Sequence, residues 1–280
     1  MVGKVTKSDI FIIASGLPYD EYKKEILRIA GRNRKYPHLI AEVLTNPEIM
    51  GKTYNQKPLL EIFTKLTKIS LGVFDKLAKG LCFYEKDEKL DSVRRENAKY
   101  ILISLATNET NSEVILRCVC KKIFRNTGEE PFEIIKEIIS KNPSIFCKAI
   151  YYIRDRIVDE KNDIERTILR KTILRTILGI YENVEKENRG RVGEIVRPLI
   201  FHVLEDPLFE DALFEIGKKS QYARVIMNRW EDRDKNNRKE VLYRIEQRIK
   251  DELKERNQTN FYYLYPTGFK GTKHKQRRRG

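Results

Sequence analysis

The chain has 280 residues, 40% of them hydrophobic and 35% charged, with a formal net charge of +15. That length can bury a substantial core, and the composition excludes an intrinsically disordered chain. So large an excess of cations points toward an acidic partner.

In chain order, the first apolar run is Ile10 to Ala14, behind Ser8 and Asp9. It is too short for a signal-peptide core, and nothing later approaches a membrane span. The expectation is a soluble intracellular protein, cytoplasmic or nuclear and not secreted, with no membrane partner. Ile10–Ile13 and Phe261–Tyr265 are the two segments with strand character, and two short strands make no sheet. Apolar residues at helical spacing cover 20–30 and 38–45. After Pro58, Leu59, Phe63, Leu66, Ile69 or Ser70, Val73 and Leu77 trace one continuous helical face. The same spacing covers 92–106, 112–125, 131–140, 144–158, 163–181, 192–204 and 208–229. Val241, Ile245, Ile249 and Leu253 close the series. The segment 163–181 is apolar over most of its circumference, with Ile164, Ile168, Leu169, Ile173 and Ile177. A sandwiched, central helix is therefore predicted there.

Punctuation supports an all-α reading. Asn46-Pro47, Asn142-Pro143 and Asp206-Pro207 each follow an apolar helix and open another. The Asn or Asp side chain can cap free N–H groups, and proline at the first helical position loses no hydrogen bond. These prolines lie 96 and 64 residues apart, both multiples of 32, which would suit a repeat of helical pairs. Gly31, Gly80, Gly128 and Gly190 sit where apolar patterns stop, as helix C-terminal glycines do. The predicted fold is a HEAT-like α-solenoid of about ten to twelve helices. It comprises a helical-repeat domain over 1–256 and a disordered aromatic and basic tail over 257–280.

No constellation of catalytic or cofactor-binding residues is expected. Cys82, Cys118, Cys120 and Cys147 read as buried reduced thiols. His38, His202 and His274 have no metal-like spacing to them, so no metal and no cofactor is predicted. Asp232, Asp234 and Asn236 match the start of a calcium loop, but Asn237 and Tyr243 break it. They read as a polar turn. Trp230, the only tryptophan, sits beside Glu231 and Asp232. Packing is the ordinary role of such a residue. A HEAT-like DNA glycosylase would instead use a tryptophan and an aspartate against a damaged base.

The basic constellations are more informative. Between Ile26 and Ala41 there is no acid, while Arg28, Arg32, Arg34 and Lys35 flank Gly31. A turn there would offer cations and backbone amides to a phosphate. Arg117, Lys121 and Arg125 are spaced to form a ridge along one helix. Their bases would be about 6 Å apart at 1.5 Å per residue. The pairs Arg166 with Arg170 and Lys171 with Arg175 fall on different faces of their helix. Past Glu255 every charge is positive, with Lys273, Lys275, Arg277, Arg278 and Arg279 following Tyr262, Tyr263, Tyr265 and Phe269. Cations behind ring faces suit a phosphate backbone with unstacked bases.

The segment Asn142–Ile157 reads NPSIFCKAIYYIRDRI. It resembles a stretch of the TROVE module, the ring of HEAT-like helical pairs of Ro-type RNA-binding proteins. The resemblance rests on Asn142, Pro143, Lys148, Tyr152, Ile153, Arg154 and Asp155, within sixteen residues of the 280. It implies structured or misfolded RNA held on a basic helical surface. Read alone, the helix buries Ile145, Phe146, Ala149, Ile150, Ile153 and Ile157, and Arg154 with Asp155 is a packing ion pair.

The expected function is RNA binding by a non-catalytic helical-repeat protein, a ribonucleoprotein component. The expected contacts are Arg28, Arg32, Arg34, Lys35, Arg117, Lys121, Arg125 and the tail residues Tyr262, Tyr263, Lys273, Lys275, Arg277, Arg278 and Arg279. DNA or an acidic protein would satisfy the same charge. The alternatives are a protein-interaction scaffold with a basic tail and the glycosylase.

Overall fold

The computed structural model describes residues 5–51, 56–83, 88–122, 129–231 and 238–255, without the side chains of Trp230, Glu231 and Glu255. The described residues form fifteen α-helices. They are α1 Lys7–Gly16, α2 Tyr19–Ala30, α3 Tyr36–Leu44, α4 Pro47–Met50, α5 Gln56–Ile69, α6 Val73–Lys79, α7 Glu88–Leu105 and α8 Glu109–Cys120. After them come α9 Glu130–Lys141, α10 Phe146–Asp159, α11 Asp163–Glu187, α12 Gly193–His202, α13 Pro207–Lys219, α14 Gln221–Glu231 and α15 Arg238–Glu255.

This exceeds the expected ten to twelve for identifiable reasons. The apolar face from Leu59 to Leu77 is broken at Ser70–Gly72 into α5 and α6, although its side chains stay in phase. The 208–229 pattern breaks at Ser220, whose hydroxyl accepts the Ala223 amide at 3.3 Å and starts α14. Ile10–Ile13 is helical, not extended. Thr6 Oγ1 accepts the Asp9 amide at 3.3 Å, while Asp9 Oδ2 accepts the Thr6 amide at 2.8 Å. This reciprocal box satisfies two free donors and starts α1.

Two compact units divide the chain, residues 1–198 and 199–280, with the division at Pro198 inside α12. In the first unit the helices stack in two layers. Helices α2, α5, α7, α9 and α11 pack successively in one layer, and α3, α6, α8 and α10 in the other, with α1 against α2 and α3. Each α-hairpin buries its apolar face against the next, which is HEAT-like packing. Phe63, Phe74, Ile101, Leu116, Ile138, Phe146 and Ile150 lie fully inside it.

Ion pairs between neighbouring hairpins reveal the repeat length. Lys23 meets Glu61, Lys76 meets Glu42, Arg95 meets Glu130, Lys99 meets Glu133 and Lys148 meets Glu113, each pair separated by 34 to 38 residues. The 32-residue proline spacing is not this repeat, because the prolines occupy inequivalent places. Pro47 opens the short α4, Pro143 a 3-10 turn before α10, and Pro207 opens α13. Asn46 and Asp206 cap as expected, accepting the Glu48 and Leu208 amides at 2.9 and 2.8 Å. Asn142 does not cap; its Oδ1 accepts the Ser144 hydroxyl at 2.7 Å.

Other expectations are modified by packing. Gly31 and Gly80 do end helices, yet their φ values of −71° and −60° lie in the right-handed region. Gly80 is explained by proximity instead, since a Cβ there would sit 3.0 Å from the Ala98 Cβ. Gly190 lies in a 3-10 turn, and Gly128 is outside the described residues. Helix α11 is not sandwiched along its length. Leu169, Ile173, Ile177 and Tyr181 are buried against α9 and α10, but Ile164 and Ile168 are 74% and 60% exposed.

A buried charge network fixes α7. Asp91 bonds Arg94 at 2.5 Å and Arg95 at 3.3 Å, and Arg94 also donates to the Cys82 carbonyl. Asn97 Nδ2 donates to the Met50 carbonyl at 2.5 Å, tying α4 to the same helix. In the second unit, α13, α14 and α15 pack mutually around Gly217, where a Cβ would lie 2.5 Å from Ile249 Cδ1 and 2.9 Å from Met227 Cε. His202 is buried there beside Phe209, with Nδ1 2.9 Å from a Glu205 oxygen. Arg248 and Arg244 reach Glu210 at 3.3 and 3.5 Å.

The Asp91 carboxylate gives a direct stability test. Its side chain is 4% exposed and that of Arg94 is 7% exposed. Asp91→Ala leaves two guanidinium groups without their shared anion, so a loss of about 3–5 kcal/mol is expected in chemical denaturation. A loss below about 1 kcal/mol would place the network in the class of screened surface pairs.

Candidate nucleic-acid interface

The first basic cluster occupies the connection from α2 to α3. Arg32, Arg34 and Lys35 are exposed and make no ion pair among the described residues. Arg28, on the last turn of α2, is instead held by both oxygens of Glu25. The turn amides are largely committed. Gly31 and Arg32 donate to the Leu27 and Ile29 carbonyls, and Lys35 donates to Asn33 Oδ1 at 3.0 Å. An anion here would therefore be held mainly by side chains.

The second cluster is reduced by the end of α8. That helix stops at Cys120 with Lys121 as its C-cap, so the expected run over 112–125 is shorter and Arg125 lies outside the described residues. Arg117 and Lys121 are exposed without an ion pair among the described residues, while Lys122 is buried and reaches Asp75 at 3.3 Å. Arg156 donates to the Cys120 and Lys121 carbonyls at 3.1 and 3.0 Å, capping the helix with positive charge. Of the α11 pairs, Arg166 is engaged by the Glu160 carbonyl and Asp163, whereas Lys171 and Arg175 are exposed. The tail residues Tyr262, Tyr263, Lys273, Lys275, Arg277, Arg278 and Arg279 lie outside the described residues, as do Asp232, Asp234 and Asn236.

The topology separates the two described clusters. His38, in the first turn of α3, has Nε2 3.0 Å from Ser70 Oγ in the α5–α6 connection. That connection and the α7–α8 connection line one pocket together. Lys148, at the start of α10, lies 3.8 Å from Glu109 at the start of α8, which brings the α9–α10 connection to the same end. Four connections within helix pairs thus share one edge of the first unit. Arg117 and Lys121 are nine and thirteen residues beyond Asn108, about 14 and 20 Å along α8.

Charge is distributed unequally between the ends of these helices. The windows 26–41, 62–74, 97–108 and 138–154, which contain the four connections, have no acidic residue and carry arginine or lysine. The segments from one pair to the next contain Glu48, Glu129 and Glu160, and Asp159 ends α10 just before the last of them. Only the first window was expected as a binding site. The other three bear the same signal and would have drawn attention to Lys68, which is exposed and without an ion pair among the described residues.

The residues of the TROVE-like segment have local roles. Lys148 pairs with Glu113, Arg154 lies 5.2 Å over the Tyr151 ring and 3.5 Å from Asp155, and Ile153 is buried. Comparison with protein families, with curated proteins and with solved structures finds no match. The packing supports a HEAT-like helical repeat in general, not the TROVE module in particular. Among the described residues no three or more His, Cys, Asp or Glu side chains are grouped to hold a metal ion. No described helix is long and apolar enough to cross a membrane.

The thiols beside the second cluster are not uniformly buried as expected. Cys118 and Cys120 are buried, Cys82 is half-buried and Cys147 is exposed, and none of the four is in a disulfide among the described residues. Burial pushes the Cys120 thiol up to about 12, against a small opposing effect of Arg156. Burial, with Asp75 nearby, also raises Cys118. At neutral pH a maleimide should label Cys147 in the native protein and reach Cys118 and Cys120 only after denaturation, as peptide mass spectrometry would record. Native labelling of Cys120 at the rate of Cys147 would mean that the α8 C-terminus opens readily.

Proposed function

We propose that the protein binds RNA through a basic helical-repeat surface, as a non-catalytic component of a ribonucleoprotein. The observation that carries this reading is the acid-free α2–α3 connection with Arg32, Arg34 and Lys35 exposed and without an ion pair among the described residues. Cations already committed to carboxylates contribute little to a polyanion, so the free ones decide. Arg28, shared with Glu25, adds a weaker contact, and Arg117 and Lys121 form a separate patch. The tail adds Tyr262 and Tyr263 for stacking and Lys273, Lys275, Arg277, Arg278 and Arg279 for phosphates. Stacking contributes roughly 1–3 kcal/mol per base.

A second reading is a scaffold for another protein. It is supported by Val158, Ile164 and Ile168, which are 73%, 74% and 60% exposed around the α10–α11 connection. Retention of copurifying partners after nuclease treatment would favour it. The glycosylase reading rests on Trp230 and would be tested by base release from alkylated DNA.

The RNA reading is tested by replacing Arg32, Arg34 and Lys35 together with glutamine. Binding to single-stranded RNA, followed by fluorescence anisotropy across a salt series, should weaken for all sequences alike. The slope of log affinity against log salt should flatten by about 2, from about 0.7 per phosphate contact. Unchanged affinity and slope would make these ordinary solvated side chains.

A further inference from the structure

We propose that a single RNA strand follows the edge of the first unit formed by the connections within helix pairs and seats one nucleotide in the pocket between the α5–α6 and α7–α8 connections. This rests on the RNA-binding reading and specifies where the strand lies. Glu109, the carboxylate nearest in sequence to this pocket, is held 3.8 Å from Lys148. The pocket has a volume of about 460 Å³, within the range of small-ligand sites and large enough for a nucleotide unit. Its lining contains no carboxylate and one cation, Lys68. A smaller pocket near the N-terminus, about 320 Å³, is lined by Glu42 and Lys7, which pair with each other and leave no free cation for a phosphate there.

The lining combines the surfaces a nucleotide needs. Ile69 and Leu71 are 49% and 42% exposed at its wall and offer apolar surface to a base. Thr64 and Thr67 give their hydroxyl protons to the Leu60 and Phe63 carbonyls at 2.7 and 2.9 Å, so they face a ligand as acceptors only. The Ser104 and Thr107 hydroxyls and Asn108 Nδ2 have no partner among the described residues and remain available as donors. Lys68 supplies the charge for one phosphate. The strand's continuation is set by His38, which joins the pocket wall at Ser70 to the α2–α3 connection carrying Arg32, Arg34 and Lys35.

The fifth connection within a pair departs from this pattern. Between α11 and α12, Arg191 is held at 3.0 Å by both oxygens of Glu194, so the track is confined to the first four pairs.

The test uses the full chain and a fluorescein-labelled 15-nucleotide oligouridine, plain or carrying 4-thiouridine. Three variants are compared: Lys68→Glu, Thr107→Trp to fill the pocket, and Lys161→Glu as an equal charge change in the α10–α11 connection. Lys68→Glu should weaken binding about tenfold and lower the log–log salt slope by about 0.7, whereas Lys161→Glu should weaken it less than about twofold. Thr107→Trp should remove crosslinks to the peptides carrying Ile69 and Leu71, which the unaltered protein should give on irradiation. Wild-type affinity in both pocket variants, with crosslinks mapping elsewhere, would overturn the pocket and leave RNA binding standing. Failure of the unaltered protein to bind any RNA would overturn the RNA reading and this inference with it.

Discussion

Each helix in the first unit has more apolar surface than its hairpin partner can cover. Helix α7 shows the constraint clearly. Its buried side chains are shared among α5, α6, α8 and α9, and its Asn97 reaches back to the Met50 carbonyl. A hairpin alone would leave the side chains that face α5 and α9 in water, at roughly 25 cal/mol per Å². Stacking is thus the condition for each pair to fold. The polar bonds that recur at 34 to 38 residues fix the register of one pair on the next, not the main part of its stability.

This packing also decides where free charge can remain. Along the outer faces of the layers, a cation on one helix lies beside a carboxylate on the next, as Lys23 beside Glu61 and Lys99 beside Glu133. Such residues are spent within the stack. At the connection from α2 to α3, and in the last turn of α5, no carboxylate of a neighbouring helix comes within ion-pair distance, so Arg32, Arg34, Lys35 and Lys68 stay unpaired among the described residues. Net charge of +15 says only that cations are in excess. The stacking geometry determines which of them a polyanion could use.

The helical class was legible because burial follows the 3.6-residue period almost everywhere, from Ile26 with Ile29 in α2 to Ile245 with Ile249 in α15. Breaks at Ser70–Gly72 and Ser220 were hidden because the apolar phase continues across them. The start of α1 was missed although Thr6 and Asp9 form a capping box three residues apart. The repeat length was misread because proline marks helix starts of any kind, whereas the real repeat lies in long-range ion pairs that no local pattern announces. At the interface, the α2–α3 cluster was visible as an acid-free window. Lys68 was not, because its significance depends on Ser70, Ser104 and Asn108 coming together from different hairpins.

The separation of charge between the two ends of the helices follows a physical logic of its own. A phosphate chain is sensitive to nearby carboxylates over about 8–10 Å at physiological salt, so an acid-free edge must be cleared on several adjacent hairpins to be useful. Clearing one turn would leave its neighbours repelling the same strand. The four windows do this in succession apart from Glu109 at the start of α8, whose charge Lys148 offsets at 3.8 Å, while other acids lie around Glu129, Asp159 and Glu160 at the opposite connections. Isolated surface cations need no such coordination to keep a protein soluble. Under the RNA-binding reading proposed above, the recurrence of the acid-free window on four consecutive pairs suits an extended anionic ligand better than a point anion.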